Sequence, residues 1–474
     1  MNKIILSIRV FFILAAMSAT EIVFPQTSES SKVLTLHEKL ARDIFRELIE
    51  INTTMNIGST KAAEAMAARL RRAGFPDSNL VIAGPHPENM NLVVRYPGTG
   101  ARRPLLFIAH LDVVEALPQD WSVDPFIFLE KDGFFYGRGT SDMKCGVADI
   151  VSNFIRLKQE GFVPDRDLIL ALTEHEENGN ANGMEWLLAN RRNLIDAEFA
   201  VNLEGGGGNI VNGKPIVMTV QTSEKIYFDY TFEVRNKGGH SSLPVKENAI
   251  YRLADALTRL SNFDFPIRLN ETTRMFFERS ALQETGQTKA DMLAMARSPL
   301  DTAAANRLAK SSPLYNSKMR TTCVATMLSG GHAKNALPQT ASANINCRML
   351  PDDSPENVMA TLRSVVADTQ VTITRIYSSA FGPLSPLRKD VMEAVEHLTA
   401  AMWPGVTVTP TMSTGASDGR FLRAAGIPVY GVSGMFEDIN DVRAHGKDER
   451  IGIKEFYKGV DFTHRFIKAL ASGF

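Results

Sequence analysis

The chain has 474 residues, of which 44% are hydrophobic and 22% are charged, and its 52 basic side chains are balanced by 53 acidic ones. This balance excludes an intrinsically disordered chain, and the lack of a basic surplus argues against a protein that binds nucleic acid through phosphate contacts. The three cysteines, Cys145, Cys323 and Cys347, are too few for a small fold built on disulfides.

Residues 1–19 differ from the rest of the chain. They carry Lys3 near the start and an apolar stretch from Val10 to Ala19 that ends in small residues. This stretch is too short to cross the ~30 Å hydrocarbon core of a membrane, and the pattern is typical of a secretory signal peptide. We therefore expect an exported protein, periplasmic or secreted, with no stable membrane span after cleavage; an uncleaved anchor is the alternative.

Beyond residue 33, apolar strands alternate with amphipathic helices, which predicts an α/β domain. Leu36 to Glu50 has leucine and isoleucine every fourth residue and predicts a helix, and Cys145 to Glu160 predicts another that ends at a glycine. Buried strands are predicted at 104–114, 168–173 and 199–203. The first part of this domain is expected to cover residues 33–220.

A second unit is expected at residues 221–378. Its predicted elements are a strand at 225–235, a helix at 249–260, strands at 321–328 and 341–349, a helix at 355–368 and a strand at 371–377. This β-α-β-β-α-β order predicts a ferredoxin-like sandwich. Residues 262–320 predict a helical insertion, and residues 379–474 return to the first domain, which is therefore split by the second.

Polar side chains follow or end the predicted strands of the first domain. His110 ends one strand, with Asp112 two residues later on the same face of an extended chain. The others of interest are Asp142 in the glycine-bearing loop YGRGTSDMK, Glu176 and Glu177 in TEHEENG, Glu204 in NLEGG and His445 in AHGKDE. Each alone is explained by a solvated acidic loop, but the complete set is not.

Two histidines and three carboxylates match the nitrogen and oxygen donors that Zn²⁺ accepts. Two zinc ions carry four positive charges against three carboxylates, and a bound hydroxide would supply the remaining negative charge. The sequence therefore predicts a site for two zinc ions at the strand ends.

These residues resemble the di-zinc exopeptidase and deacylase family that includes carboxypeptidase S, glutamate carboxypeptidase, aminoacylase and succinyl-diaminopimelate desuccinylase. The blocks HLD, GRGTSDMK, TEHEENG, NLEGG, GGHSSLP, NALP, GASD and AHGKDE occur in the family's order over roughly residues 35–470. The resemblance implies an α/β fold, with a mixed-sheet catalytic domain into which a ferredoxin-like lid and dimerisation domain is inserted. It is closest to the carboxypeptidase S type because of the long insertion.

The resemblance also implies a role for each matching residue. The implied metal ligands are His110, Asp142, Glu177, Glu204 and His445, with Asp142 bridging two Zn²⁺ ions. Asp112 would orient His110, and Glu176 would be the general base while a zinc-bound hydroxide attacks the scissile carbonyl. The implied substrate-binding residues are His240, Asn335, Arg348 and Gly415.

Arg348 matches a family position that holds the substrate's carboxylate, whereas the residue pattern alone allows a buried ion-pair partner on a strand. His240 would hydrogen-bond the developing oxyanion, in its own subunit or in that of a possible homodimer partner. His175 stands where the family commonly has Asp. Whether Cys323 and Cys347 pair is open at this point.

The expected function is hydrolysis of an amide bond next to a free carboxylate, by a carboxypeptidase or dipeptidase, with an N-acyl-amino-acid deacylase as the alternative. Two other classes compete with this expectation. Gly415 to Gly419 fits the G-x-S-x-G elbow of a serine hydrolase, with Ser417 as nucleophile. A non-catalytic binding protein on the same fold is the second, although no ligand and no general base is missing from the sequence.

Overall fold

The computed structural model describes residues 33–177, 181–297, 299–378 and 380–472. The predicted signal peptide, residues 1–19, lies outside these ranges and stays a prediction. From Leu36 onward, the described residues form one structural unit. The boundaries that the sequence predicts between two domains, at residues 221 and 379, therefore also stay predictions.

The helices are α1 Leu36–Glu50, α2 Thr60–Arg72, α3 Lys144–Gln159, α4 Gly183–Asn190, α5 Arg192–Ile195, α6 Ala249–Ser261, α7 Glu271–Ser280, α8 Gly286–Ala296, α9 Thr302–Ser311, α10 Pro313–Met319, α11 Pro355–Val366, α12 Lys389–Met402, α13 Gly419–Ala424 and α14 Ile453–Ser472.

The strands are β1 Leu80–His86, β2 Asn89–Tyr96, β3 Leu105–His110, β4 Leu129–Lys131, β5 Phe134–Tyr136, β6 Leu168–Thr173, β7 Phe199–Asn202, β8 Gly207–Val211, β9 Lys214–Glu224, β10 Ile226–Arg235, β11 Gly239–His240, β12 Thr322–Gly330, β13 Ala336–Leu337, β14 Thr340–Met349, β15 Val371–Ser378, β16 Thr407–Ser413, β17 Val429–Gly431, β18 Phe436–Asp438 and β19 Arg450–Gly452.

Ten strands form a mixed sheet in the order β1-β2-β6-β3-β7-β17-β9-β8-β18, with β16 also paired to β9. The central strands β6, β3, β7 and β17 are parallel, and β1 and β2 extend the sheet in the antiparallel sense. The mixed α/β class predicted from the alternation of elements is confirmed. The parallel strands end together at one edge of the sheet, where ligands bind in open α/β folds.

Helices cover both faces of this sheet because side chains alternate between the faces along each strand. On β3, Leu105 and Phe107 pack into the core formed with α1, α2, α3, α12 and α14. Their neighbours Leu106 and Ile108 face the other way, into the core formed with α4, α5 and α13. Both faces are therefore apolar, and β3 is buried along its whole length.

A second, four-stranded antiparallel sheet has the order β12-β14-β10-β15, and the chain enters it directly after β9, at Lys225. Helices α6 and α11 pack on one face, against Phe228, Phe232 and Ile345 among others. The order β10-α6-β12-β14-α11-β15 is the one predicted from the sequence. Cys323 and Cys347 lie directly opposite each other on β12 and β14 and form a disulfide, which answers the question of their pairing.

The predicted insertion is helical and forms α7 to α10, with a small apolar core of its own. It contacts β16 of the large sheet through charged side chains. Lys318 donates to the Thr411 hydroxyl at 2.7 Å and to the Met412 carbonyl at 2.6 Å, and Arg279 donates to the Val408 carbonyl at 2.6 Å. Across the described residues, no helix has the length and apolar character needed to cross a bilayer.

Candidate metal centre

The predicted ligands lie where the parallel strands of the large sheet end. His110 is the last residue of β3, and Glu176 and Glu177 lie on the turn that follows β6. Glu204 follows β7 after one residue, while Asp142 lies two residues before the first residue of α3. His445 comes from the segment between β18 and β19. Sequence-distant residues therefore meet because their strands are neighbours in the sheet.

The imidazole of His110 and the carboxylate of Asp142 are in direct contact, with Nε2 3.1 Å from Oδ1. The other carboxylate oxygen of Asp142 lies 3.1 Å from Nε2 of His445, which is also 3.0 Å from Oε2 of Glu177. Asp142 thus lies between the two histidines, one oxygen toward each. This is the arrangement that a bridging carboxylate requires.

Two sets of donor atoms converge within 4.8 Å: His110, Asp142 and Glu177 form one set, and His110, Glu176 and Glu204 form the other. The two sets share His110 and contain five different residues, and His445 contacts two of them. We call these six residues the acidic cluster: His110, Asp142, Glu176, Glu177, Glu204 and His445. The structure brings all five predicted ligands together. It also places Glu176, the predicted general base, against the same group.

Burial and mutual repulsion make the acidic cluster unfavourable without a cation. Burial raises the pKa of Glu177 to about 7 and that of Glu204 to about 8, and it raises the pKa of Glu176 well above its usual value. A hydrogen bond with Asp142 raises the pKa of His445 to about 9. Imidazole and carboxylate donors at these separations fit a pair of divalent cations, and zinc accepts both donor types.

Asp112 connects the two sides of the acidic cluster, but through more contacts than the sequence predicted. Its carboxylate accepts the main-chain N–H groups of Glu176 and Glu177, each at 3.1 Å. The nearest acceptor to Nδ1 of His110 is the Asp112 carbonyl at 3.0 Å, while its carboxylate lies 3.6 Å away. Asp112 therefore holds the Glu176–Glu177 turn as well as the His110 ring.

His175 enters this turn with a φ of +53°, the left-handed region that non-glycine residues rarely adopt. Its Nδ1 lies 3.3 Å from the carboxylate of Glu174, which is fully buried. Burial raises the pKa of Glu174 to about 9. A residue in this conformation persists only where its surroundings determine it, and here the Asp112 bonds on the next two amides do so.

Glu449 holds the loop that carries Asp142, and sequence reasoning missed it. The Glu449 side chain is completely buried, and its Oε1 accepts the amides of Ser141 at 2.7 Å and Asp142 at 2.9 Å. Its Oε2 accepts the amide of Gly139 at 3.1 Å and the Arg138 guanidinium at 2.6 Å. Four donors thus converge on one carboxylate, four residues beyond His445.

The side of Glu176 away from the turn is occupied by the segment after β16. Arg420 Nη1 lies 3.6 Å from the Glu176 carboxylate. Asp418 accepts the Thr173 hydroxyl and the Asn182 amide, each at 2.6 Å, and so ties this segment to the end of β6. Arg138, Asp418 and Glu449 lie inside the sequence blocks GRGTSDMK, GASD and AHGKDE, and Arg420 lies two residues after GASD. Their partners are distant along the chain, and no spacing reveals them.

The predicted substrate-binding residues lie outside the acidic cluster. His240 and Asn335 are exposed and come together on the two-stranded ribbon β11–β13, where the Asn335 carbonyl accepts the Ser241 amide at 3.0 Å. The His240 Nδ1 is 2.7 Å from the Ser242 hydroxyl. In the described part of the chain, no hydrogen bond of His240 or Asn335 reaches the cluster.

Arg348 lies on β14, half-buried, with its guanidinium 4.6 Å from the ring centre of Tyr227. Within the described residues it forms no ion pair with a carboxylate, so it is not the buried ion-pair partner that the sequence left open. Gly415 lies in an exposed loop after β16, where its amide is donated to the Ser413 hydroxyl at 3.1 Å.

Ser417 does not have the surroundings of a hydrolase nucleophile. It is buried, and its hydroxyl donates to Oε2 of Glu224 at 2.8 Å. An activated serine instead donates to the imidazole that accepts its proton. His445, the first histidine after Ser417 in the sequence, is engaged with Asp142 and Glu177, so the structure does not support the serine hydrolase alternative.

Comparison with known proteins agrees with this geometry. Residues 106–469 match the family described as Peptidase family M20/M25/M40. The chain is 29% identical over 377 residues to the human N-fatty-acyl-amino acid synthase/hydrolase PM20D1, covering 77% of this chain and 74% of the relative. It is 29% identical over 397 residues to a probable carboxypeptidase S-like 2 of Dictyostelium discoideum, covering 80% and 74%.

Among solved structures, an M20 family metallo-carboxypeptidase, Sso-CP2 from Sulfolobus solfataricus, superposes with a TM-score of 0.66. The sequence identity is 17%, and the match covers 90% of this chain and 98% of the other. At that identity the likeness shows a shared fold. The family resemblance that the sequence blocks indicated is confirmed.

Proposed function

The chain belongs to peptidase family M20/M25/M40 and is a metallohydrolase, and from this we propose that it hydrolyses an amide bond next to a free carboxylate. The observation that carries the proposal is that two regions of the fold have unbalanced charge. The acidic cluster gathers carboxylates with raised pKa values around two histidines, and Arg348 forms no ion pair with a carboxylate of the residues that the structure describes.

We propose that His110, Asp142, Glu177, Glu204 and His445 hold two divalent cations, with zinc as the expected metal and Asp142 between them. When bound, such a pair polarises a carbonyl and makes water a stronger acid. The orientation of Asp142, with one oxygen toward each histidine at 3.1 Å, supports this assignment.

Glu176 is the general base in this proposal. Its carboxylate takes a proton from the attacking water and returns that proton to the nitrogen of the leaving amine. Asp112 orients Glu176 through the main-chain amide, and Arg420 at 3.6 Å limits the direction of its carboxylate.

Arg348 receives the carboxylate of the substrate, for which a guanidinium fork has the matching shape. Gly415 and Asn335 are further substrate-binding residues in this proposal, and His240 stabilises the negative charge that develops on the carbonyl oxygen. His240 lies on an exposed ribbon, so this role requires closure of the ribbon over the site or a second subunit.

A carboxypeptidase or dipeptidase is the first candidate, because the chain is similar to a probable carboxypeptidase S-like protein and shares its fold with an M20 family metallo-carboxypeptidase. An N-acyl-amino-acid deacylase is the second candidate, since PM20D1 and other similar relatives carry names of N-acyl-amino acid hydrolases. Both reactions leave a free amino acid, and they differ in the acyl group on the other side of the bond.

We also propose that the protein is exported and forms a homodimer. The disulfide between Cys323 and Cys347 supports an oxidising compartment. Strand β12 lies at the edge of the four-stranded sheet and exposes Met327 and Leu328 at 71% and 72%. An exposed apolar edge strand favours pairing with a second copy.

The test of the proposed function is a hydrolysis screen that compares dipeptides with N-acyl amino acids, with metal content measured on the same sample. We expect the protein to hydrolyse at least one of the two substrate classes. We expect no hydrolysis of either class when the substrate's carboxylate is blocked as an amide. A protein that is restored to two zinc ions per chain and cleaves none of these substrates contradicts the proposal.

A further inference from the structure

Arg348 points away from the core of the four-stranded sheet. Burial alternates along β14, so that Cys347 and Met349 face α6 and α11 while Arg348 lies on the opposite, polar face. The register places Tyr227 of β10 directly opposite Arg348 on one side and Thr322 of β12 on the other. The guanidinium of Arg348 lies over the Tyr227 ring, 4.6 Å from its centre.

The carboxylate that faces this pair belongs to Asp229, two residues along β10 from Tyr227. Its Oδ2 accepts the Tyr227 hydroxyl at 2.6 Å. Its Oδ1 accepts the side-chain amides of Asn346 at 3.0 Å and Asn344 at 3.1 Å. Three neutral donors therefore satisfy the Asp229 carboxylate, and it forms no ion pair with Arg348.

The contact with Tyr227 holds Arg348 in a different way from an ion pair. A cation over an aromatic face is attracted by the ring electrons, and this contact leaves the guanidinium N–H groups unused. No carboxylate among the described residues forms an ion pair with them. A carboxylate paired directly with Arg348 would instead hold the guanidinium in place and also neutralise its charge. Asp229 fixes the Tyr227 hydroxyl, and Tyr227 in turn supports the arginine.

We propose that Tyr227 is a positioning residue that orients Arg348 for the substrate's free carboxylate and leaves its donors available for that carboxylate. The arginine platform, as we call Tyr227, Asp229 and Arg348, thereby sets the preference for substrates with a free carboxylate. This inference rests on the proposed function, because it assumes that Arg348 contacts the substrate.

The experiment compares Tyr227→Leu, which removes the ring, with Tyr227→Phe, which keeps the ring and removes the hydroxyl. For a substrate with a free carboxylate, we expect Tyr227→Leu to raise KM about tenfold with kcat within twofold of the wild type, since a partly desolvated cation–π contact is worth about that factor. Tyr227→Phe is expected to restore KM to within threefold of the wild-type value.

A second readout does not depend on turnover. The product amino acid, used as a competitive inhibitor, is expected to bind Tyr227→Leu about tenfold more weakly than the wild type. A packing role alone would lower the stability of the sheet and leave KM and this inhibition constant unchanged. Tyr227→Met keeps more of the side-chain volume and takes the place of Tyr227→Leu if the leucine variant does not fold.

Equal KM values for the wild type and the ring-deleted variant overturn the inference, and so does a Tyr227→Phe variant that is as impaired as Tyr227→Leu. A loss confined to kcat also overturns it, because positioning of a carboxylate receptor acts on binding. If the wild type itself hydrolyses neither dipeptides nor N-acyl amino acids, the proposed function fails instead, and the two failures are thereby distinguished.

Discussion

The acidic cluster and the arginine platform are unbalanced in opposite directions. In the acidic cluster, carboxylates are buried beside one another, and burial raises the pKa of Glu177 to about 7 and that of Glu204 to about 8. In the arginine platform, a half-buried cation has an aromatic ring for a partner and the neighbouring acid is satisfied by neutral donors. One region requires cations, and the other requires an anion.

The two regions also differ in how they are held. Main-chain amides fix the acids: Asp112 accepts two of them, and Glu449 accepts three together with Arg138. Side chains on two paired strands hold Arg348. Under the proposed function, this difference teaches that the groups for bond cleavage are held by the backbone of the large sheet, whereas substrate recognition depends on a few side chains.

The largest effect is expected at the general base. Replacement of Glu176 by Gln removes the proton acceptor and should lower kcat about 10²- to 10⁴-fold, while both metal ions remain bound. Steady-state kinetics and metal analysis on one preparation measure the two quantities. A loss of one metal ion per chain would assign Glu176 to metal binding, which its position beside His110 and Glu204 also allows geometrically.

The contrast between the two regions is tested next at Arg348. Arg348→Met keeps the length of the stem and removes the charge, so KM for a free-carboxylate substrate should rise about 10- to 100-fold, since a hydrogen-bonded charge contributes about 1.5–3 kcal/mol. We expect kcat to stay within threefold because ground state and transition state lose the same contact. An unchanged KM, with lower stability, would return Arg348 to a structural role.

The support of the acidic cluster is tested at Glu449. In Glu449→Gln, a side-chain NH2 group replaces one carboxylate oxygen. Two of the four donors that converge on Glu449 then face another donor, so the Asp142 loop is no longer held. We expect metal affinity to fall about 10- to 100-fold, the usual effect of losing such a supporting contact. Zinc competition with a chromophoric chelator measures it at a temperature where the variant is folded.

A matched control for this variant is Asp441→Asn. Asp441 lies in the same C-terminal segment and pairs with Arg443 and Arg450, at 2.7 and 2.6 Å, but does not hydrogen-bond to the Asp142 loop. Its metal affinity should equal that of the wild type. Identical zinc titrations of both variants and the wild type would show that Glu449 does not position Asp142.

The smallest effect on catalysis is expected from the disulfide. Replacement of Cys323 and Cys347 by serine opens a link between residues 24 apart and should lower the free energy of unfolding by about 3 kcal/mol. Metal content and kcat/KM at 25 °C should stay within twofold, because the link lies in the four-stranded sheet. Urea unfolding measures the stability, and metal analysis with steady-state kinetics measures the site. A lower metal content in the serine variant would show that the acidic cluster depends on the four-stranded sheet.

Most of the acidic cluster could be predicted from the sequence, because its residues lie next to the ends of predicted elements. His110, Asp142, Glu177 and Glu204 each follow a strand or precede a helix, so an alternation of elements brings them to one edge. The sequence was not sufficient for Glu449 or for Asp112 as the holder of the Glu176–Glu177 turn. Their acceptor roles depend on which amides lie nearby, and no spacing along the chain encodes that.

The arginine platform shows a second limit. The family resemblance implies a role for Arg348, but Tyr227 lies 121 residues earlier (348 − 227) and meets it only because β10 and β14 pair in one register. A shift of one residue would turn Tyr227 into the apolar core. The ferredoxin-like strand order was predicted from the elements, whereas the partner of each side chain required the register.

The central claim is that the acidic cluster holds two metal ions that are needed for hydrolysis of an amide next to a free carboxylate. Stepwise addition of Zn²⁺ to metal-free protein, with bound metal and cleavage of an N-acyl amino acid or dipeptide followed together, tests it most directly. We predict that activity is absent without metal and reaches its maximum as the second ion binds. Full activity in excess chelator, or saturation of the protein with metal without any cleavage of either substrate class, would contradict it.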